Sequence, residues 1–265
     1  VRALYADQQD LMQRESMGTI TDDARSCFKS EDVISVMKST VPLPCDPDYV
    51  FIGVDPNGGG SSMMAIVSVV LYEECAYVVG VDTAPTTQHE QIEQLLLQHI
   101  RSLRGHRQLR EAHFIFLPEN NLGQEAEHMR HMVRNERLLF TVREKNKAGV
   151  CTTHERKEMM VASLLDYFNG KKLHITSGCV CANPKMDANT RLAQTKDTMK
   201  KQLIQFRKMV IPGSQPYKNS KFVFTGKAKS GMQDDVVMTL MIAIWWGQQF
   251  LERKIPGVPY DSFNI

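Results

Sequence analysis

Three apolar, β-rich runs follow one another closely: Tyr49–Val54, Met63–Tyr72 and Ala76–Val81, joined by short stretches of turn residues. Parallel neighbours need a crossover of a dozen or more residues, so connections this short predict three adjacent antiparallel strands. Downstream the period changes. Gln88–Leu103 carries Ile92, Leu95, Leu96, His99 and Leu103 at helical spacing, and Ala112–Leu117 returns to a buried-strand pattern. The reading continues with a helix over 122–135, a strand around 138–143, a helix over 155–168 and a long helix over 190–209. Lys221–Thr225 reads as a strand and Gly226–Gly231 as a flexible basic loop, after which Asp234-Asp235 opens an apolar helix over 236–246. The apolar residues of that helix occur nearly all round, which predicts burial in the core. The alternation as a whole is α/β.

Val41-Pro-Leu-Pro-Cys-Asp-Pro47 places three prolines where no helix can continue, and a boundary is drawn there. Residues 1–47 are then an N-terminal extension, 48–250 the folded unit and 251–265 a C-terminal tail. The first residue is not Met and the polar stretch 14–36 reads like the end of something larger, so the chain is expected to be an excised fragment. Its 265 residues, 42% of them hydrophobic, are enough to bury a full core. Six irregularly spaced cysteines do not make the disulfide framework of a small secreted domain, and they favour a reducing compartment. No apolar run of signal-peptide type opens the chain, and none approaches the ~20 residues of a membrane span. A net charge of +2 decides nothing about nucleic acid; the placement of the basic residues has to.

Acids stand at the ends of these elements: Asp55 after the first strand, Glu119 after the fourth, Asp234 and Asp235 at the start of the last helix. Taken singly, each has an ordinary explanation: Asp55 can start an Asx turn before Pro56, and Asp234 can cap the helix. Taken together they are costly, because a carboxylate at the mouth of a buried strand must be paired or neutralised. Three acids drawn from distant parts of the chain can hold two Mg2+ or Mn2+ ions through hard oxygen ligands. Such a pair activates a water and stabilises a leaving oxygen, which is what phosphodiester hydrolysis requires.

Strand Phe51-Ile-Gly-Val-Asp55-Pro-Asn-Gly-Gly-Gly60, the acid in Phe114-Ile-Phe-Leu-Pro-Glu119-Asn-Asn and the closing Gly226-Lys-Ala-Lys-Ser-Gly-Met-Gln-Asp234-Asp235-Val-Val-Met238 resemble the C-terminal nuclease domain of herpesvirus terminase large subunits. The resemblance spans roughly residues 14–246. It implies a ribonuclease-H-like fold with a mixed central sheet flanked by helices. It also implies a two-metal endonuclease that cuts double-stranded DNA concatemers during genome packaging in the host cell nucleus. Asp55 matches the first ligand, Glu119 the second and the Asp234-Asp235 pair the third, with Asp235 favoured because Asp234 is better placed to cap. Around Glu119, Pro118 and Asn120-Asn121-Leu122 stand where the family has glycine and small polar residues. Full-length relatives carry an ATP-driven motor, from which residues 1–47 would be the linker, and they work with other terminase subunits and a portal. The domain alone is expected to be a monomer. The glycine-rich stretch 55–62 lacks Gly-Lys-Ser/Thr and reads as a tight turn, with no nucleotide site.

Three basic runs are candidates for the DNA backbone: Arg101, Arg104, Arg107 and Arg110; Arg143, Lys145 and Lys147; and Lys218, Lys221, Lys227 and Lys229. The third ranks first because it flanks the last helix, and the absence of interleaved aromatics points to backbone contact with little base readout. Cys151 and His154 with Cys179 and Cys181 lack zinc-site spacing and read as reduced structural residues. His174 reads as packed, Asp82 as a turn residue, and no Ser or Cys sits in a nucleophile elbow. Rival readings are a Holliday-junction resolvase or integrase of the same fold, and a DNA-binding or assembly module whose acids no longer hold metal.

Overall fold

The computed structural model of the chain describes residues 26–56, 62–121, 124–182, 188–211, 221–227 and 233–263. After α1 (Ser30–Lys38), the first apolar run becomes β1 (Tyr49–Asp55), buried along all but its last residue and paired on both edges. It runs antiparallel to β2 (Met64–Tyr72), which turns back into β3 (Cys75–Ala84), as the short connections require. Glu73 and Glu74 both take positive φ in that turn, the backbone that matches the twist of a tight hairpin. The chain then crosses through α2 (His89–Gly105) to β4 (His113–Pro118), which lies parallel to β1 on its other edge. α3 (Glu125–Val133) leads to β5 (Leu139–Thr141), parallel to β4. A small hairpin, β6 (Arg143–Glu144) and β7 (Lys147–Ala148), precedes α4 (His154–Asn169), after which β8 (Leu173–Val180) joins β3 in parallel. The six-stranded order is β5-β4-β1-β2-β3-β8, a mixed sheet in an α/β molecule.

Side-chain alternation along the strands separates two cores. Val50, Ile52 and Val54 with Phe114 and Phe116 face α2 and α3 through Ile92, Leu96, Ile100, Met129 and Val133. Phe51, Ile115, Leu117, Ala65 and Val67 face the other way, toward α4, α5 (Ala188–Gln205) and α6 (Asp235–Leu251). α6 is apolar nearly all round and is buried along almost its whole length, as its composition predicts. Among the described residues no helix is long and apolar enough to cross a membrane.

Residues on either side of 48–250 join the same core. Phe28, Val33 and Met37 pack into the α6-side cluster, as do Ile255 and Val258. Tyr49 donates its hydroxyl to the Phe263 carbonyl at 2.9 Å.

Three local readings are corrected. The helix expected over 190–209 stops at Gln205, because Phe206 turns into the core and Arg207–Ile211 forms strand β9 against β10 (Lys221–Thr225). The strand expected over 138–143 is broken at Val142, with Lys145 and Asn146 at positive φ making the turn of the following hairpin. Asp82 is no turn residue: it is buried within β3 and accepts from the Ala182 amide at 2.7 Å. Its other oxygen meets His99 Nδ1 at 2.6 Å, and His99 Nε2 meets Ser68 Oγ at 2.7 Å. This Ser-His-Asp line is sealed from solvent, so it ties α2 to the sheet as a satisfied polar network and offers no nucleophile.

Gly53 fixes how closely α6 lies on β1. A Cβ there would stand 2.6 Å from the Thr239 carbonyl and 3.2 Å from the Ala243 amide, both helix backbone that cannot rotate aside. Gly53→Ala is therefore expected to destabilise the fold by about 1–3 kcal/mol through overpacking, read as a lower urea midpoint. Gly105→Ala, with nothing within 4 Å of its Cβ, is the control and should lose no stability. Equal midpoints for the two variants would refute the close-approach argument.

Candidate active site

β1 and β4 end side by side. Their register pairs Val54 with Pro118, so Asp55 and Glu119 come next, and the Glu119 amide donates to the Val54 carbonyl at 2.8 Å. Phe51 and Gly53 face α6, and one further step of the pleat turns Asp55 the same way; Ile115 and Leu117 do this for Glu119. α6 begins at the same place, so Asp234 and Asp235 complete a group of four carboxylates from three separate parts of the chain. Asp55 is half-buried; Glu119, Asp234 and Asp235 are buried.

Each acid is held by its own partners. Asp235 accepts from Ser62 Oγ at 2.8 Å and Lys227 Nζ at 3.1 Å on one oxygen, and from the Met63 amide at 3.0 Å on the other. Asp234 stands in the capping position, yet its side chain makes no cap bond. It accepts instead from the Gly226 amide at 2.9 Å and lies 3.4 Å from Lys227 Nζ. Glu119 Oε1 accepts from Asn121 Nδ2 at 3.0 Å and from the Thr152 hydroxyl. Thr152 reaches it because 149–150 runs beside Glu119 through the Glu119–Val150 bridge. Gly149 makes that approach with φ +84°, where a Cβ would strike the Pro118 carbonyl at 2.2 Å.

Burial together with the charges of Glu119, Asp235 and Asp234 pushes the Asp55 carboxyl well above its ordinary value, against the pull of Lys227. Burial also raises Glu119, opposed by hydrogen bonds from Thr152 and Asp55 and by the charge of Lys157. Lys157, in the first turn of α4, is lowered by its own desolvation although Asp234, Glu119 and Asp55 favour its charge. Burial works against the Lys227 ammonium too, but Asp235, Asp234 and Asp55 outweigh it and its pKa is raised. Four carboxylates thus face two ammonium groups. No three of the acids bring a ligand oxygen each within 4.8 Å of the other two, so they line a space wider than one cation's inner shell. Hard oxygen donors with a surplus of negative charge suit Mg2+ or Mn2+.

All four acids expected from the sequence therefore meet, and Lys227 lies among them. Lys218 and Lys229, the Lys221 side chain and most of the glycine-rich stretch, 57–61, lie outside the described residues. Arg143 is tied to the Asn146 carbonyl at 2.6 Å and stands 3.7 Å from Glu127. Lys145 and Lys147 line an open hollow with Asn120, Thr153, Arg156 and Trp245, next to the residues that hold Glu119. In the first basic run Arg104 is spent internally: it donates to the Ala112 carbonyl at 2.6 Å and the Arg137 carbonyl at 2.7 Å and stacks on Phe114. Cys151, His154, Cys179 and Cys181 form no three-ligand group. His174 stacks on Tyr77 at 5.2 Å and is half-exposed.

Sequence reasoning missed Lys157, Thr152, Asn121 and Ser62. Thr153 carried a usable signal, since it caps α4 by accepting from the Arg156 amide at 3.3 Å and so fixes where the first turn begins. Lys157 itself carried none; a lysine in a polar first turn reads as surface.

No family model and no curated protein matches the chain. Among solved structures it is similar to the human cytomegalovirus terminase nuclease domain. The Mn-soaked form matches with TM-score 0.57 at 11% identity, covering 84% of this chain and 97% of that one. The Mn-soaked, inhibitor-bound form matches at 0.60 and 10% identity, covering 86% and 98%. A further structure of that domain matches at 0.58 and 11% identity, covering 84% and 96%. The fold is therefore that of the terminase nuclease domains, ribonuclease-H-like, as expected.

The raised carboxyls set a pH dependence. Asp55 and Glu119 keep protons in the folded chain above the 3.8 and 4.5 at which they titrate unperturbed. Over that interval the native state binds more protons than the unfolded chain, so their contribution to stability falls as pH rises. In chelator-containing buffer the stability of Asp55→Asn relative to wild type should grow from pH 4 toward pH 7. A difference that shrinks or stays flat in urea unfolding across that range would contradict the assignment.

Proposed function

We propose that the chain is the nuclease domain of a herpesvirus-type DNA-packaging terminase, an endonuclease that hydrolyses double-stranded DNA with little sequence preference. The observation that carries this is the meeting of Asp55, Glu119, Asp234 and Asp235 at one end of a ribonuclease-H-like sheet, with more negative charge than Lys157 and Lys227 balance. Asp55, Glu119 and Asp235, with Asp234 beside them, are the groups that would hold two Mg2+ or Mn2+ ions. Such a pair, when bound, lowers the pKa of an attacking water and stabilises the leaving oxygen.

The chain's own residues prepare that chemistry. Thr152 and Asn121 both donate to Glu119 Oε1 and so orient the carboxylate. Ser62 and the Met63 amide hold Asp235 in the same way. Gly53 lets α6 lie close enough to bring its first residues to the strand ends. Lys227, bonded to Asp235, and Lys145 and Lys147, in the hollow beside the residues that hold Glu119, are the groups that would meet a phosphate backbone, and contacts of that kind fix position without reading sequence. The partners on this reading are double-stranded DNA and, in the full-length protein, other terminase subunits and the portal, with the host cell nucleus as the place of work.

The test is cleavage of supercoiled plasmid with Mn2+ or Mg2+. Loss of a ligand removes several kcal/mol of transition-state stabilisation, so Asp55→Asn, Glu119→Gln and Asp235→Asn should each cut at least ~100-fold more slowly while still binding duplex. Preference for a four-way junction or an RNA:DNA hybrid over linear duplex would favour the resolvase reading. Duplex binding by wild type with no cutting at any protein concentration would leave a binding module and end the nuclease proposal.

A further inference from the structure

A second set of ligands lies apart from the acids. His89, the first residue of α2, and Glu125 and His128, at the start of α3, each bring one ligand atom within 4.8 Å of the other two. Among the described residues no other group of three His, Cys, Asp or Glu side chains does so, the acid cluster included. Glu125 and His128 are three residues apart and share one face of α3, and His89 meets them from the neighbouring helix.

The three side chains do not satisfy one another as a hydrogen-bonded network. His89 Nε2 lies 3.9 Å from Glu125 Oε2, beyond a hydrogen bond. The two imidazoles sit 4.9 Å apart, centroid to centroid, and tilted by 56°. His128 Nδ1 is buried without a hydrogen-bond partner, which is unfavourable for an imidazole nitrogen. Metal–ligand bonds of 2.0–2.1 Å in a tetrahedron put ligand atoms about 3.3 Å apart. Small rotations close the difference, since His89 is 52% and Glu125 34% exposed.

We propose that His89, Glu125 and His128 bind one transition-metal ion of the Zn2+ type, with water as the fourth ligand. Two imidazoles select borderline cations such as Zn2+, Co2+ or Ni2+ over Mg2+, which takes oxygen ligands. The positive ends of α2 and α3 oppose a cation, and Glu90, Glu125 and Glu127 in their first turns offset them. Such an ion ties the two helix starts together on the face of the sheet opposite α6.

Co2+ titration followed by visible absorption, with Zn2+ calorimetry beside it, tests the site directly. Beyond any ions taken up by the acids, one equivalent with the intense visible band of tetrahedral Co2+ should bind to wild type, and that equivalent should persist in the Asp55→Asn, Glu119→Gln double variant. Removing even an outer-shell partner of a metal site costs 10- to 100-fold in affinity, so His89→Gln and His128→Gln should each weaken binding roughly tenfold or more. His89 is exposed and its substitution leaves the fold intact, which circular dichroism would verify. Absence of a saturable Co2+ band in wild type, or undiminished binding by both histidine variants, overturns the proposal. Binding lost with the acids and kept by the histidine variants assigns the ion to the first site and overturns it as well.

Discussion

Carboxylates brought out of water beside one another are the constraint around which the rest of this molecule is arranged. Asp55 loses hydration at the end of β1 and meets the charges of Glu119, Asp235 and Asp234, so its proton is held far more tightly than an exposed aspartate holds one. A structural core has no use for this. Apolar residues at the same four positions would pack without the penalty, and a buried acid group left half-paired is destabilising. The crowding of acids is confined to one end of the sheet, whereas the buried polar residues within its strands, Ser68, Asp82 and Thr176, are hydrogen-bonded among otherwise apolar neighbours. Strain placed so locally, with dedicated partners such as Thr152, Asn121 and the Met63 amide, is what a site for cations and charged substrate demands.

Two features of the backbone deliver the acids to one another. Parallel pairing in the Val54–Pro118 register makes the next residue of each strand a neighbour, and a slip of one residue would send Glu119 to the α2 side. Gly53 then removes the side chain that would otherwise hold α6 away, so the helix whose first residue is Asp235 descends onto β1. Gly149 makes a comparable approach on the other flank, where 149–150 lies against Pro118 and carries Thr152 to Glu119. Glycines at the two closest approaches and acids at the ends of the strands are therefore parts of one design.

Much of this was legible in the residues. Short connections between apolar runs gave β1, β2 and β3 their antiparallel order, and a helix apolar all round announced that α6 lies inside. The acids could be singled out because each closes or opens an element, a position a sequence displays directly. What stayed hidden depends on distance in space. Lys157 looks like surface until α4 is laid beside α6, and Asp82 looks like a turn until Ala182 arrives from a hundred residues away. The break after Gln205 was hidden for a different reason: the helical period runs on past it, and the strand wins because β10 supplies a partner for Arg207–Ile211. Arg104 misled in the opposite sense, since its place in a basic run says nothing of the carbonyls that consume it.

The two lysines differ in a way that bears on how charge is managed. Lys157 enters from a helix start fixed by the Thr153 cap, and burial lowers its hold on the proton against the charges of Asp234, Glu119 and Asp55. Lys227 is different: 43% of its side chain is exposed, it bonds Asp235, and the acids strengthen its hold on the proton. Divalent cations arriving at the acids would neutralise the partners of both. Lys227, 43% exposed, could then leave Asp235 for water. A cation released from a carboxylate at the edge of the site is well placed to meet the next anion that approaches, and for the function proposed here that anion is a DNA phosphate.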